Sequence, residues 1–264
     1  MRRALSAVVF ALALSDVALA DTAYVKPSSF IPKQDQTITA EVSFSDECCE
    51  PRYAVRTETY TVINPDGSKA APDRIETFAT TTMLEHTVSQ QGTTRISTGE
   101  RLGRKGEYML LGGQYHLVNS PDAEPIHIPA GTPILSSQTA TVTDAYVTVG
   151  APNWNAVRAP IGRLAIVPAL HPNMVATGLP FTARVTLDGE PVSGASVVLT
   201  NEMQRLNGET EAIYEASEDG VFSVVFEHPG LALMMVRLQA PAPEGSETDI
   251  RSYTTALNVN VSGS

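Results

Sequence analysis

The chain has 264 residues, a formal net charge of −11 and only two cysteines. An acidic balance excludes nucleic acid as the expected partner, because phosphates need a basic face. The length accommodates two domains with real cores, so the fold does not need disulfide staples.

At the N-terminus, Arg2 and Arg3 precede an almost wholly apolar run, Ala4 to Leu14, and Ala18-Leu19-Ala20 supplies the small residues a signal peptidase reads. Residues 1–20 are therefore expected to be a signal peptide, removed before Asp21, and the protein is expected in the periplasm. The apolar run is about half of the roughly 20 residues that span a bilayer, and Asp16 interrupts it. No other stretch approaches that length, so no membrane span is expected in the mature chain. Losing Arg2, Arg3 and Asp16 moves its charge from −11 to −12.

Period-2 alternation dominates the mature chain, and no segment carries a helical stripe. Ile38, Ala40, Val42 and Phe44 alternate with Thr37, Thr39, Glu41 and Ser43, which predicts a half-buried strand. Asp46-Glu-Cys48-Cys49-Glu50 comes next. Adjacent Cα atoms lie about 3.8 Å apart, below the usual disulfide range of roughly 4.4–6.8 Å. A bridge there is strained and easily reduced. Cys48 and Cys49 read either as an inert oxidised loop or as a redox or soft-metal element.

Tyr60 to Ile63 predicts a strand running into the turn Asn64-Pro-Asp-Gly67. Thr93 to Ser97 is a short strand, and the rest of 65–105 has no clear pattern; Arg101, Arg104 and Lys105 read as a solvated loop. Glu107 to Leu111 and Gln114 to Val118, joined by Gly112-Gly113, predict a hairpin. His116 and His127 then flank a loop, 119–126, that contains Asp122 and Glu124. Imidazole with carboxylate suits a first-row divalent ion, so these four residues are the candidate metal site, beside the plain reading of ordinary surface residues. Thr139 to Val149 predicts a strand anchored by Val142, Tyr146 and Val147.

Alternation stops at Gly150-Ala-Pro-Asn-Trp154 to Pro160, where a domain boundary is expected with Trp154 at its seam. Beyond it, strands are predicted at Arg163–Val167, Phe181–Leu187, Ala195–Leu199, Ala212–Tyr214, Val221–Phe226, Leu231–Leu238 and Ser252–Ser262. His171 and His228, each before a proline, read as turn residues. Some seven short strands in about 100 residues is the signature of an Ig-like sandwich. The expected fold is all-β with two β-sandwich domains: a β-rich domain over 21–150, a linker over 151–160 and an Ig-like sandwich over 161–264.

No nucleophile elbow, H-E-x-x-H or EF-hand loop occurs, so no catalytic residue is assigned and no enzyme is expected. A structural or protein-interaction module of the cell envelope is one expected function.

Gly162-Arg-Leu-Ala-Ile-Val-Pro168, Gly189-Glu-Pro-Val-Ser-Gly194-Ala-Ser-Val-Val-Leu199, Glu218-Asp-Gly-Val-Phe222 and His228-Pro-Gly230 resemble a NikM-like family of unknown function linked to periplasmic nickel and cobalt uptake. The resemblance is best over 160–264 and extends more loosely through Phe44-Ser-Asp46, Thr98-Gly-Glu-Arg-Leu-Gly103 and Gln138-Thr-Ala-Thr-Val142. It implies a periplasmic binding or accessory protein that handles nickel or cobalt beside an envelope transport component. Members commonly place a histidine near the processed end, where this chain has Asp21-Thr-Ala-Tyr24.

Overall fold

A computed structural model of the chain describes residues 21–46, 48–118 and 128–263. The expected all-β class holds throughout, and the predicted strands recur with their ends shifted by one to several residues. In the first half, β1 (Thr22–Pro27) pairs antiparallel with β2 (Gln36–Ser45). Ile38, Ala40 and Val42 of β2 are buried while Thr39 and Glu41 are half-buried, as the alternation requires. The strand β1 shows no alternation, because Ala23 and Val25 join one core while Tyr24 joins another.

The short β3 (Tyr53–Ala54), β4 (Thr61–Ile63), β5 (Lys69–Ala70) and β6 (Arg74–Thr77) lead to β7 (Thr82–Val88) and β8 (Gly92–Ser97). Then β9 (Arg101–Leu111) and β10 (Gln114–Val118) form the predicted hairpin, followed by the sixteen-residue β11 (Ile134–Val149). Arg101, Arg104 and Lys105 therefore lie on a strand rather than in a loop. Pairing of β9 with β11 supplies the backbone partners that the charged side chains gave no hint of. Between β8 and β9, Gly99 has a φ of 65°, and a Cβ there would sit 2.2 Å from the Thr59 carbonyl oxygen. Only glycine fits that corner.

The second half contains α1 (Asn155–Arg158), β12 (Leu164–Pro168), a 3-10 turn at Pro172–Met174, β13 (Pro180–Leu187), β14 (Glu190–Pro191) and β15 (Ser196–Asn201). It closes with α2 (Glu202–Leu206), β16 (Ala212–Glu215), β17 (Val221–Val225), β18 (Gly230–Pro241) and β19 (Ile250–Val261). The two helices are single turns of four and five residues, too short to form on propensity alone.

These strands make three sheets. The first has the order β1-β2-β7-β6, with β3 on β2; the second has β12-β13-β14, with β17 on β13. The third is large, in the order β16-β15-β18-β19-β11-β8-β4-β5, with the β9–β10 hairpin also attached to β11. Within it β11 and β19 are parallel, Ser137 opposite Ile250 and Ala145 opposite Asn258.

Each smaller sheet packs on the large one to form a sandwich. Phe181, Ala183 and Val185 of β13 meet Val197, Met234, Leu257 and Val259 of the large sheet in the C-terminal core. Ala23, Val25, Ile38, Val42 and Leu84 of the first sheet meet Ile96, Ala145, Val147 and Val149 in the N-terminal core. A third cluster joins Tyr24, Cys48 and Cys49 to Val198, Leu231, Leu233, Met235 and Ala256 on the other face of the C-terminal strands. Residues such as Val198 alternate with Val197 and Leu199, so β15, β18 and β19 are covered on both sides.

The segment 151–160 is held from several directions. The Asn153 and Asn155 side-chain amides both donate to the Pro65 carbonyl, at 3.0 and 2.9 Å. Arg95 of β8 donates to the Ala159 carbonyl at 2.6 Å and to Asp144 of β11 at 2.5 Å. Both members of that ion pair are buried. Removing one partner from a buried pair strands the other charge. Asp144→Ala is therefore expected to lower stability by about 3–5 kcal/mol, while Arg95→Met with Asp144→Leu costs much less. Urea unfolding of the two variants checks this, and a single-variant loss within experimental error of zero would refute it.

Candidate functional site

The hairpin β9–β10 is an exposed feature that carries large apolar side chains. Its register places Gln114 opposite Leu111 and Val118 opposite Glu107, with Gly112 and Gly113 at φ of 60° and 83° closing the turn. Two consecutive residues at positive φ make the turn that matches strand twist, which is why the two glycines are needed. On its other edge β9 pairs with the first part of β11, Ile134 opposite Met109 and Leu135 opposite Tyr108. The arm is thus a three-stranded ribbon, and among the described residues no strand pairs with the outer edge of β10.

Pairing of Tyr108 with Leu117, Leu110 with Tyr115 and Leu135 with Tyr108 sets these five side chains in one row. Leu110 and Leu117 are exposed, and Tyr108, Tyr115 and Leu135 are half-buried. The arm also differs in charge from the rest of the protein. Arg101, Arg104 and Lys105 outnumber Glu107 along residues 101–118 of a chain whose net charge is −11.

His116 lies on the opposite face of the same ribbon, directly across from Met109. The other members of the expected metal group, Asp122, Glu124 and His127, fall outside the described residues. Among the described residues no three His, Cys, Asp or Glu side chains come together to hold a metal ion.

Cys48 and Cys49 are both buried, with their sulfurs 2.7 Å apart and Cys49 at a φ of 65°. They sit in the loop between β2 and β3, pressed onto β15, β18 and β19. The neighbouring Cys49 thiol draws the Cys48 thiol below its usual range, while burial pushes Cys49 well up.

The remaining histidines have structural surroundings. His228 Nε2 meets Glu209 Oε2 at 3.0 Å beside a cleft of about 140 Å³ lined by Asn201, Gln204, Tyr214 and Phe226. The amide of Asn207 and the ring of His228 hold the Glu209 carboxyl below the usual range. His86 lies 3.5 Å from Asp73. His171 is more than the turn residue that Pro172 suggests. It is buried, its ring stacks edge-on against Trp154 at 5.2 Å, and its Nδ1 accepts from the Asn173 N–H at 3.2 Å. Its Nε2 lies 3.0 Å from both the Thr93 hydroxyl and the Asn153 carbonyl. With Nδ1 accepting, the proton resides on Nε2, and the neutral ring ties β8 to the 151–160 segment. Trp154 packs against the C-terminal core at that same place. The sequence signal for His171 is only its proline; nothing local marks its partners, which come from three separate segments.

The chain matches the family "Domain of unknown function (DUF4198)" over residues 18–240 and belongs to that family. No curated protein matches it. Among solved structures, it is similar to a DUF4785 family protein from Legionella pneumophila at 11% identity and a TM-score of 0.26, over 81% of this chain and 50% of that one. It is also similar to red sea bream transglutaminase at 12% identity and a TM-score of 0.22, over 91% of this chain and 31% of that one. The chain thus spans half the length of the first and less than a third of the second. Likeness at that level carries no argument about chemistry.

Burial holds the His171 ring below its usual pKa, against the opposing effect of the Asn153 carbonyl. The unfolded chain therefore takes up this proton at higher pH than the folded one. Stability is retained above about pH 6.5, falls as pH drops below that value, and levels off beneath the native pKa. Urea unfolding at pH 7.5 and 5.5 is expected to show a smaller loss in His171→Gln than in the parent. Equal losses would refute the assignment.

Proposed function

We propose that this DUF4198 protein is an exported, non-catalytic binding module of the cell envelope whose β9–β10 arm receives an extended segment of a partner protein. The observation that carries the reading is the unpaired edge of β10 beside the row Tyr108, Leu110, Tyr115, Leu117 and Leu135. A free edge offers backbone donors and acceptors to an added strand, and the flanking side chains supply selectivity. An edge left bare with apolar neighbours is otherwise an aggregation hazard that proteins avoid. Export rests on the signal-peptide pattern of residues 1–20, which does not bear on what the arm binds.

A second reading takes the protein as a periplasmic accessory for nickel or cobalt, beside an envelope transport component. It is favoured by the place of His116 on the arm, three residues before the 119–127 segment that carries Asp122, Glu124 and His127. It requires that segment to bring its side chains to the His116 ring.

For the arm, a photo-crosslinking residue placed at Leu117 in cells is expected to give a discrete protein adduct. The same residue at Leu206, exposed on α2, is expected to give none. Leu110→Asp, also at an exposed position, should reduce the adduct at least tenfold without changing the circular dichroism spectrum. A protein with no adduct at Leu117 does not use the arm in this way. For the metal reading, native mass spectrometry of demetallated protein with Ni²⁺ or Co²⁺ should show one retained ion, lost at least tenfold in His116→Ala. No retained ion rejects it.

A further inference from the structure

The thiol pair occupies a place that solvent barely reaches and that the arm does not touch. Both cysteines are 5% exposed, enclosed by Tyr24, Val198, Leu231, Leu233, Met235 and Ala256. They sit where the first sheet meets the outer face of the large one, and two ionic contacts, both to α2, cross the same seam. Arg205 of α2 meets Glu50 at 3.1 Å, and Lys26 of β1 meets Glu202 at 3.2 Å. A polar loop carrying two adjacent thiols is thus clamped onto an apolar floor.

Three observations distinguish this pair from two inert buried thiols. Cys49 holds a φ of 65°, in the left-handed region that a residue with a Cβ enters only at a cost of about 1–3 kcal/mol. The side chains converge, with sulfurs 2.7 Å apart, rather than pointing to opposite faces as in a strand. The two thiols are also unequal, since Cys48 ionises first and Cys49 keeps its proton to higher pH.

We propose that Cys48 and Cys49 form a thiol–disulfide exchange site that closes reversibly into a vicinal disulfide, with Cys48 as the attacking sulfur and Cys49 as the resolving one. The oxidant is an external disulfide, either a small molecule such as oxidised glutathione or the disulfide of an exported oxidoreductase. The Cys48 thiolate attacks one sulfur of that disulfide and expels the other as a thiolate, leaving a mixed disulfide on Cys48. Cys49 then loses its proton, attacks the Cys48 sulfur and expels the second thiolate. The new intrachain bond forms as the mixed bond breaks, two electrons pass to the external partner, and both protons end on the two released thiols. A strained ring of this kind is readily reopened by an external dithiol through the reverse steps. The external disulfide reaches the pair when residues 48–52 lift from their floor, and the Glu50–Arg205 contact opposes that lift.

The experiment uses the full mature chain, folded, with oxidised glutathione as the probe and intact-mass spectrometry as the readout. The reduced parent is expected to become about 2 Da lighter, the mass of the two hydrogens lost when a thiol pair closes, and to keep no glutathione. Dithiothreitol should restore it. Cys49→Ser is expected to trap one glutathione on Cys48, at least tenfold faster than Cys48→Ser acquires one on Cys49. Circular dichroism checks that each variant is folded, and Glu50→Gln, which keeps both thiols and weakens only the clamp, should speed closure of the parent pair. A folded parent that stays reduced in oxidised glutathione and reacts only in denaturant overturns the proposal. Faster trapping on Cys49 than on Cys48 overturns the assignment of roles.

Discussion

The fold depends on one strand being buried on both faces at once. Within β11, Ala145, Val147 and Val149 enter the N-terminal core, while Ala140 and Tyr146 face the C-terminal one. Its edges are used just as fully, by β19 on one side and by β8 and β9 in succession on the other. The strands β8, β9 and β19 are therefore all placed by the same element. Both sandwiches take their position from β11, so the halves on either side of residues 151–160 share one sheet. A strand so enclosed satisfies its backbone groups within the protein, which is the condition for burying it.

Placing a single strand between two cores leaves polar side chains where apolar ones would pack. Thr93, Arg95 and Ser97 of β8 alternate with Thr94 and Ile96, and all five are buried. Arg95 and Asp144 answer each other, yet Arg95 Nε and Asp144 Oδ1 have no partner among the described residues. A buried pair left incompletely satisfied contributes little net stability and can cost some. What it supplies is direction: the guanidinium forks between β11 and the Ala159 carbonyl and fixes where 151–160 lies. His171 does the same through Thr93 and Asn153. A seam of apolar residues would slide; a seam of directed hydrogen bonds has one register.

That division explains which parts are legible in the sequence. The strand β13 can be read directly, because one face lies on the C-terminal core and it alternates accordingly, whereas β18, covered on both faces, shows as the unbroken apolar run Leu231 to Val236. The hairpin β9–β10 is legible from its two glycines. By contrast β1 escapes notice, since Ala23, Tyr24 and Val25 are apolar in succession and serve two cores. The strand β7 escapes for the opposite reason: its buried positions are Thr82, Leu84, His86 and Val88, so polar residues blur the period. Segment 151–160 has the composition of a linker, and its anchors, Arg95, Pro65 and His171, lie outside it in the sequence. Of the sites, the cysteine pair is visible as a motif, but its burial against β15 and β18 is not. The exposed apolar row is invisible until register sets Tyr108 beside Leu117 and Leu110 beside Tyr115. Periodicity reports burial on one face; it is silent where both faces are buried, or where a strand leaves the body of the protein.

The order of the large sheet also separates the two places that have chemistry to offer. The thiol pair rests on β15, β18 and β19, whereas the arm grows from the far side of β11. Between β18 and β9 lie three strand steps, about 14 Å at the usual spacing of roughly 4.8 Å. The strands between them are pinned by long registers, twelve residues between β18 and β19 and nine between β11 and β19. A change in the Cys48–Cys49 loop alters the seam with the first sheet without shifting those registers, because a slip of one residue would turn every buried side chain of β19 toward the wrong core. The strand β1 packs toward both cores: Tyr24 lies beside the cysteines, and Ala23 and Val25 share a core with the β11 residues Ala145 and Val147. An edge strand that serves two cores at once has no polar face left to alternate, which is why the sequence fails to announce it.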